Sequence, residues 1–180
     1  YDVEGVSLRL WGGQRQEPRS CSDHRGAATV AAHLGIPHAL IDARSEFAQS
    51  VVRPFVGSYL AGRTPNPCVA CNRDFKLGAL LDWAKARGAE YVATGHYARI
   101  TRDAGSGRFL LWRGRDPRKD QSDFLWPLTQ AQLAAARFPL GELTKDEVRA
   151  YARRLGLVTA DKPESQEICF VPDDDYRKFL

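Results

Sequence analysis

His38-Ala39-Leu40-Ile41-Asp42 is a short run, apolar through its middle, that ends on a carboxylate. A run of this length and composition reads as a strand buried in a parallel sheet. Before this run, Ser22 to Leu34 carries a helical pattern stopped by Gly35 and Pro37. On the other side, Glu46 to Leu60 reads as a helix, with Pro54 expected to break or bend it. Val3 to Leu10 alternates in part and reads as a further strand, as does Tyr91-Val92-Ala93-Thr94. Strands that alternate with helices predict an α/β fold built on a parallel sheet.

The later sequence changes character. Phe109-Leu110-Leu111-Trp112 reads as a strand that pairs with Ala98 to Thr101 across a hairpin-like loop, Asp103 to Gly107. Thr129 to Ala136 and Thr144 to Leu155 read as helices, each opened by a capping-box pattern: Thr129 with Gln132, Thr144 with Glu147. Gly156 supplies the stop of the second. The chain is then expected to end with a short strand around Ile168 to Val171 and a helix from Asp173. This organisation predicts an α/β domain made of 1–128 and 166–180, with 129–165 as a helical segment and candidate subdomain. No internal repeat or low-complexity segment interrupts it.

The 180 residues are enough for one domain with a real core. No apolar run is long enough to span a bilayer, and no signal-peptide pattern opens the chain. There is no Met and residue 1 is Tyr, so the chain is expected to be a piece of a longer protein. The formal net charge of +4 and sequence pI near 9.0 suit a polyanionic partner. Arg108, Arg113, Arg115, Arg118 and Lys119 cluster, partly offset by Asp116 and Asp120, as a phosphate-contacting surface would require. Four cysteines are too few to staple a fold of this size. They predict a cytoplasmic setting with reactive or metal-binding thiols, Cys21 alone being read as a small buried hydrophobe.

Chemistry concentrates in Gly62-Arg63-Thr64-Pro65-Asn66-Pro67-Cys68-Val69-Ala70-Cys71-Asn72. Asn66 is a strong N-cap and Pro67 fits the first helical position, so a helix is expected over Pro67 to Ala86, closed by Gly88. Cys68 and Cys71 then fall in its first two turns, three residues apart on one face. The positive helix end favours anions, so either sulfur could be a thiolate, the form that acts as nucleophile or metal ligand. Gly95 follows an apolar strand, where α/β sheets place ligands. His96 reads as a strand-end histidine bonded to its neighbours and stays outside the catalytic set.

Four ordered stretches carry a resemblance: 62–72 above, Ala93-Thr94-Gly95-His96-Tyr97-Ala98-Arg99, Lys119-Asp120-Gln121-Ser122, and Lys162-Pro163-Glu164-Ser165-Gln166-Glu167-Ile168-Cys169-Phe170. Together they resemble the tRNA-specific 2-thiouridylases (the MnmA/TrmU family). The resemblance implies an ATP-pyrophosphatase type of domain, adenine nucleotide alpha hydrolase-like, whose phosphate loop and C-terminal barrel lie outside this chain. It implies a tRNA-uridine 2-sulfurtransferase that uses ATP with Mg²⁺, acts on tRNA, and takes sulfur from a relay donor protein. It makes Cys71 the nucleophile and Cys169 the carrier of the persulfide sulfur, with a disulfide as the spent state. It assigns ATP contacts to Gly95 and to the backbone at Leu8. Asn66, Pro67 and Cys68 would lie against the target base, and Lys119, Asp120 and Gln121 would contact tRNA. Gly26, beside Asp23, departs from the family, which often has a second Asp there.

Cys68 leaves two chemistries open. In one, Cys71 and Cys169 run a persulfide relay and Cys68 lines the pocket. In the other, Cys68, Cys71 and Cys169 hold a [4Fe–4S] cluster, and tetrahedral zinc is open on ligand type. A tRNA thiolase acting on cytidine and a non-catalytic tRNA-binding fragment are the alternative functions. Cys71 and Cys169 are expected near one crevice at the carboxyl ends of the strands, the Cys169 segment following a polar loop, Asp161 to Gln166, that moves between open and closed states.

Overall fold

The computed structural model describes residues 1–11, 24–162, 168–171 and 175–180. The expectations for Cys21, Asp23 and 163–167 lie outside the described residues. The chain forms two compact units, Tyr1–Pro67 with Ala152–Leu180, and Cys68–Tyr151. The segment expected to stand apart as 129–165 contributes to both.

In the first unit, β1 (Gly5–Arg9) and β2 (His38–Asp42) pair in parallel, from Gly5 opposite His38 to Arg9 opposite Asp42. A parallel pair needs a crossover, and helix α1 (His24–Leu34) lies within it. Helix α2 spans 44–60 and is α-helical over Arg44–Phe47, π-helical over Ala48–Val52, and α-helical again over Arg53–Leu60. The chain stays helical through Pro54, so it does not break there. Pro54 falls in the first turn after the widened stretch, where the α ladder is already displaced, so its missing N–H disrupts little.

The strand expected over Ile168 to Val171 is a turn instead, closed by Val171 N–H donating to Ile168 C=O at 3.0 Å. Phe170 and Val171, consecutive in sequence, are both 2% exposed, which the alternating faces of a strand do not allow when one face is solvated. Phe170 sits among Trp11, Phe47, Phe55 and Phe179, with ring centroids 5.2–6.2 Å away. Ring burial thus decides this segment's conformation. The final helix covers Tyr176–Phe179, and the carboxylate of Asp175 accepts from the N–H groups of Arg177 and Lys178.

In the second unit, helix α3 spans 67–86 with the first residue belonging to the other unit; it is α-helical over Pro67–Ala70, π-helical over Cys71–Ala79 and α-helical over Leu80–Ala86. A two-residue strand, β3 (Val92–Ala93), follows. β4 (Ala98–Arg102) and β5 (Phe109–Arg113) form the expected antiparallel hairpin, Ala98 opposite Arg113. A 3₁₀ turn at Ser122–Phe124 leads to α4 (Gln130–Ala135), where the Thr129–Gln132 capping box is complete. Ala136, expected at the end of this helix, turns to extended backbone and starts β6 (Ala136–Arg137), which pairs in parallel with β3. The core is built on Leu77, Ala98 and Leu125, all 0% exposed. Helix α5 (Lys145–Arg154) opens on the second capping box, Thr144 with Glu147. The buried Asp116 also accepts from Lys145 N–H at 3.0 Å, and that bond holds its carboxyl below the ordinary range.

Candidate active site

Helix α3 begins at Pro67, one residue after Asn66, as the sequence requires. Pro67 is buried while Asn66 and Cys68 are exposed. Cys71 is buried, 8% exposed, and Asn72 beside it is 3% exposed. The two cysteines therefore do not share one environment, contrary to the plain helical spacing. Burial of one and exposure of the other decides which can act in a water-excluded setting. The helix also leaves α geometry at Cys71, because its turns widen from there to Ala79. Such widening places extra residues in a turn and is common at functional sites. Gly78 is required by it: a Cβ there would stand 2.8 Å from the Arg73 carbonyl oxygen, five residues back.

Hydrogen bonds tie three of the expected stretches together in this unit. Asn72 Nδ2 donates to Phe124 C=O at 3.3 Å. Gln121 N–H donates to Tyr97 C=O at 3.0 Å, and Gln121 Oε1 accepts from Tyr97 N–H at 3.1 Å. The 119–124 segment is thus bonded both to the cysteine-bearing helix and to the loop that holds Gly95, which is exposed. Asp120 is also turned inward: Oδ1 accepts from Gly114 N–H and Ser122 N–H, and Oδ2 from Ser122 Oγ. Gln121 and Asp120 therefore use their side chains to shape the loop, and Lys119 is half-buried beside them.

His96 is 6% exposed, with Nδ1 2.8 Å from Thr94 Oγ1 and its ring edge-on to Phe138. Burial, with the nearby Lys76 charge, brings its pKa down to about 3, so it is neutral at physiological pH. The unfolded chain would bind a proton near pH 6.5 that the folded chain refuses until about 3. Folding stability due to this group is therefore complete above pH 6.5 and falls as pH drops through that window, by about 1.4 kcal/mol per unit. Urea unfolding at pH 7 and pH 5 is expected to show this slope in the parent and a shallower one in His96→Gln. Equal slopes would show that His96 titrates normally in the folded chain.

In the first unit, Leu8 is half-buried on β1. A cavity of about 550 Å³ is lined by Trp11, beyond β1, and by Asp42, Arg44, Ser45 and Glu46 at the end of β2. This is the carboxyl end of the parallel pair, where ligands of α/β sheets bind. Arg44 Nη2 lies 2.6 Å from Asp42 Oδ2, and this bond holds the Asp42 carboxyl down to about 2. Cys169 is half-buried, next to the anchored Phe170.

Among the described residues, no three Cys, His, Asp or Glu side chains are gathered as a metal-binding group. No helix among them is long and apolar enough to cross a membrane. Trp11, Asn72 and Gln132 contribute to these surroundings without having been singled out for the site. Asn72 closes the cysteine motif, and Gln132 was legible only as a capping partner.

The parallel pair with its crossover helix and strand-end cavity fits an α/β domain of the HUP, adenine nucleotide alpha hydrolase-like, class. The chain belongs to the tRNA methyl transferase HUP domain family, whose profile matches residues 1–173. It is 49% identical over its whole length to tRNA-specific 2-thiouridylase MnmA 1 of Caldanaerobacter subterraneus subsp. tengcongensis, covering 51% of that protein. It is 50% identical to the MnmA of Heliobacterium modesticaldum, covering 48% of it, and 51% identical to that of Syntrophotalea carbinolica, covering 51%, again over its whole length. The chain thus spans about half the length of the curated relatives it matches.

Proposed function

We propose that this chain is the catalytic part of an enzyme that replaces the 2-oxygen of a tRNA wobble uridine with sulfur. The observation that carries the reading is the buried Cys71, set in a widened helix and bonded through its neighbour Asn72 to the 119–124 segment. The names of the relatives supply the reaction class.

The chemistry that ATP supplies, with Mg²⁺, is adenylation of the base oxygen, which makes AMP the leaving group. The cavity beyond β1 and β2 fits the nucleoside end of such a molecule better than its phosphates. It offers one indole and two carboxylates, and its one guanidinium is already held by Asp42. Gly95, exposed after β3, and the backbone at Leu8 are the further ATP contacts in this reading. Asn66 and Cys68, both exposed, face the base, while Pro67, expected there too, is buried, and the 119–121 stretch meets tRNA.

A sulfur-relay donor loads Cys169 as a persulfide. The Cys71 thiolate attacks the inner sulfur of Cys169 and forms a disulfide. The terminal sulfur leaves with the bonding electron pair and bonds to the activated carbon, and AMP departs with the carbon–oxygen pair. A thiol reductant then returns two electrons to the disulfide. The setting is cytoplasmic, where such reductants are abundant.

The deciding experiment incubates the complete gene product with tRNA, ATP and a persulfide donor, and follows nucleosides by mass spectrometry. One 2-thiouridine per AMP released is expected. A methylated nucleoside formed from a methyl donor, with no thiolated one, would overturn the reading. Cys68→Ser is expected to keep at least about half of the parent rate, because the exposed Cys68 takes no bond-making part. An inactive Cys68→Ser that has also lost bound iron would instead support a cluster held by Cys68, Cys71 and Cys169.

A further inference from the structure

The side-chain amide of Gln132 is fully engaged. Its Oε1 accepts from Thr129 N–H at 2.9 Å and from Thr129 Oγ1 at 3.1 Å. Its Nε2 donates to the Arg73 carbonyl at 2.8 Å and to the Leu77 carbonyl at 2.9 Å. An amide has two acceptor sites and two donor hydrogens, so all four are used. Reversing the amide would set oxygen against two carbonyls, so the assignment of its ends is unambiguous. The acceptor half is the ordinary capping box of α4. The donor half does something the box does not require. It reaches across to helix α3 and bonds two carbonyls inside the widened Cys71–Ala79 stretch.

We infer that Gln132 is a positioning residue for Cys71: it holds the widened turns of α3 open and so fixes where the Cys71 sulfur points. A widened turn binds its carbonyls less well than an α turn, and an outside donor to two of them favours it. Without that donor, the stretch is free to return to α spacing. One residue of register in an α-helix is about 100° of rotation. That would carry Cys71 away from its buried position relative to Leu80–Ala86. Gly78, packed against the same Arg73 carbonyl, completes the arrangement. The functional weight of this inference rests on reading Cys71 as the nucleophile.

Two variants separate the clamp from the cap. Gln132→Glu keeps both acceptor bonds to Thr129, because Glu serves equally in a capping box, but removes both donors and turns an oxygen toward the two carbonyls, so Gln132→Met, which lacks that oxygen, is read beside it. Thr129→Ala removes the cap and leaves the donors in place. In the complete gene product, site-resolved alkylation by iodoacetamide should show Cys71 labelling at least ~5-fold faster in Gln132→Glu, with a displaced pH midpoint. Labelling of the exposed Cys68 should stay within about twofold, since a surface thiol needs no opening. Thr129→Ala should label Cys71 at the parental rate. In thiolation, Gln132→Glu should lower kcat by roughly 10- to 100-fold and change the KM for tRNA by less than about threefold, because misplaced reacting atoms cost rate and not affinity. Should Gln132→Glu fail to fold, Gln132→Met removes the same donors without adding charge and decides by the same readings. Parental Cys71 labelling in the folded donor-less variant, or an equal change in Thr129→Ala, would overturn the inference. If the parent makes no 2-thiouridine, the proposed function fails, while the labelling still decides the role of Gln132.

Discussion

Exchange of Cys71 for Ser is expected to abolish 2-thiouridine formation, by at least ~10³-fold, while the fold of Cys68–Tyr151 persists. The substitution changes one atom at a buried site and leaves the widened turns of α3 untouched. A serine hydroxyl does not ionise near neutral pH, so it cannot attack a sulfur as a thiolate does. Cys169→Ser should be as inactive, because the persulfide of the proposed relay then has no carrier. The double variant should be no worse than either single one, since in the proposed relay the two groups act in one sequence of steps. The measurement is 2-thiouridine per tRNA over time, with circular dichroism and the unfolding midpoint as the check on folding. A Cys71→Ser enzyme with more than a tenth of the parent rate would remove Cys71 from the chemistry.

The second large effect concerns stability. Gly141→Ala should destabilise the second unit by roughly 3 kcal/mol or more, because overpacking against backbone leaves little room for relief. A Cβ on Gly141 would overlap the carbonyl oxygen of Ala98 and stand 2.9 Å from Arg99 Cγ. Neither end can retreat easily. Ala98 is 0% exposed and paired with Arg113 across the hairpin. Gly141 is itself held by its C=O accepting from Arg115 N–H and its N–H donating to Phe138 C=O. Urea unfolding of the variant against the parent measures the cost. A change below about 0.5 kcal/mol would show that the Ala98–Gly141 contact is looser than described.

Much of the site lay open in the sequence because its signals are local. Asn66-Pro67 marks a helix start through a residue type suited to capping and a ring that needs no N–H, and α3 does begin at Pro67. Thr129 with Gln132, and Thr144 with Glu147, declare their capping boxes by spacing alone. His96 was read as bonded to its neighbours, and its ring is 2.8 Å from the Thr94 hydroxyl. The misread elements share one cause. Local preference sets the expectation at Ala136 and at Ile168 to Val171, and each conformation is fixed by a partner far away in sequence. Ala136 leaves its helix because Val92 offers a parallel edge forty-four residues earlier. Phe170 enters a ring cluster and not a sheet.

Short-range spacing and motifs read in order are enough for the alternation of strands and helices, the start of the cysteine helix, and the family. That Cys71 is buried while Cys68 is exposed, and that the helix carrying them widens between Cys71 and Ala79, emerges in the folded chain alone. Spacing of three residues suits both sulfurs equally. What distinguishes them is packing, together with two hydrogen bonds from Gln132, more than fifty residues along the chain. Helical periodicity carries no record of such bonds, since a widened turn is stabilised by what lies beside it and not by the residues within it.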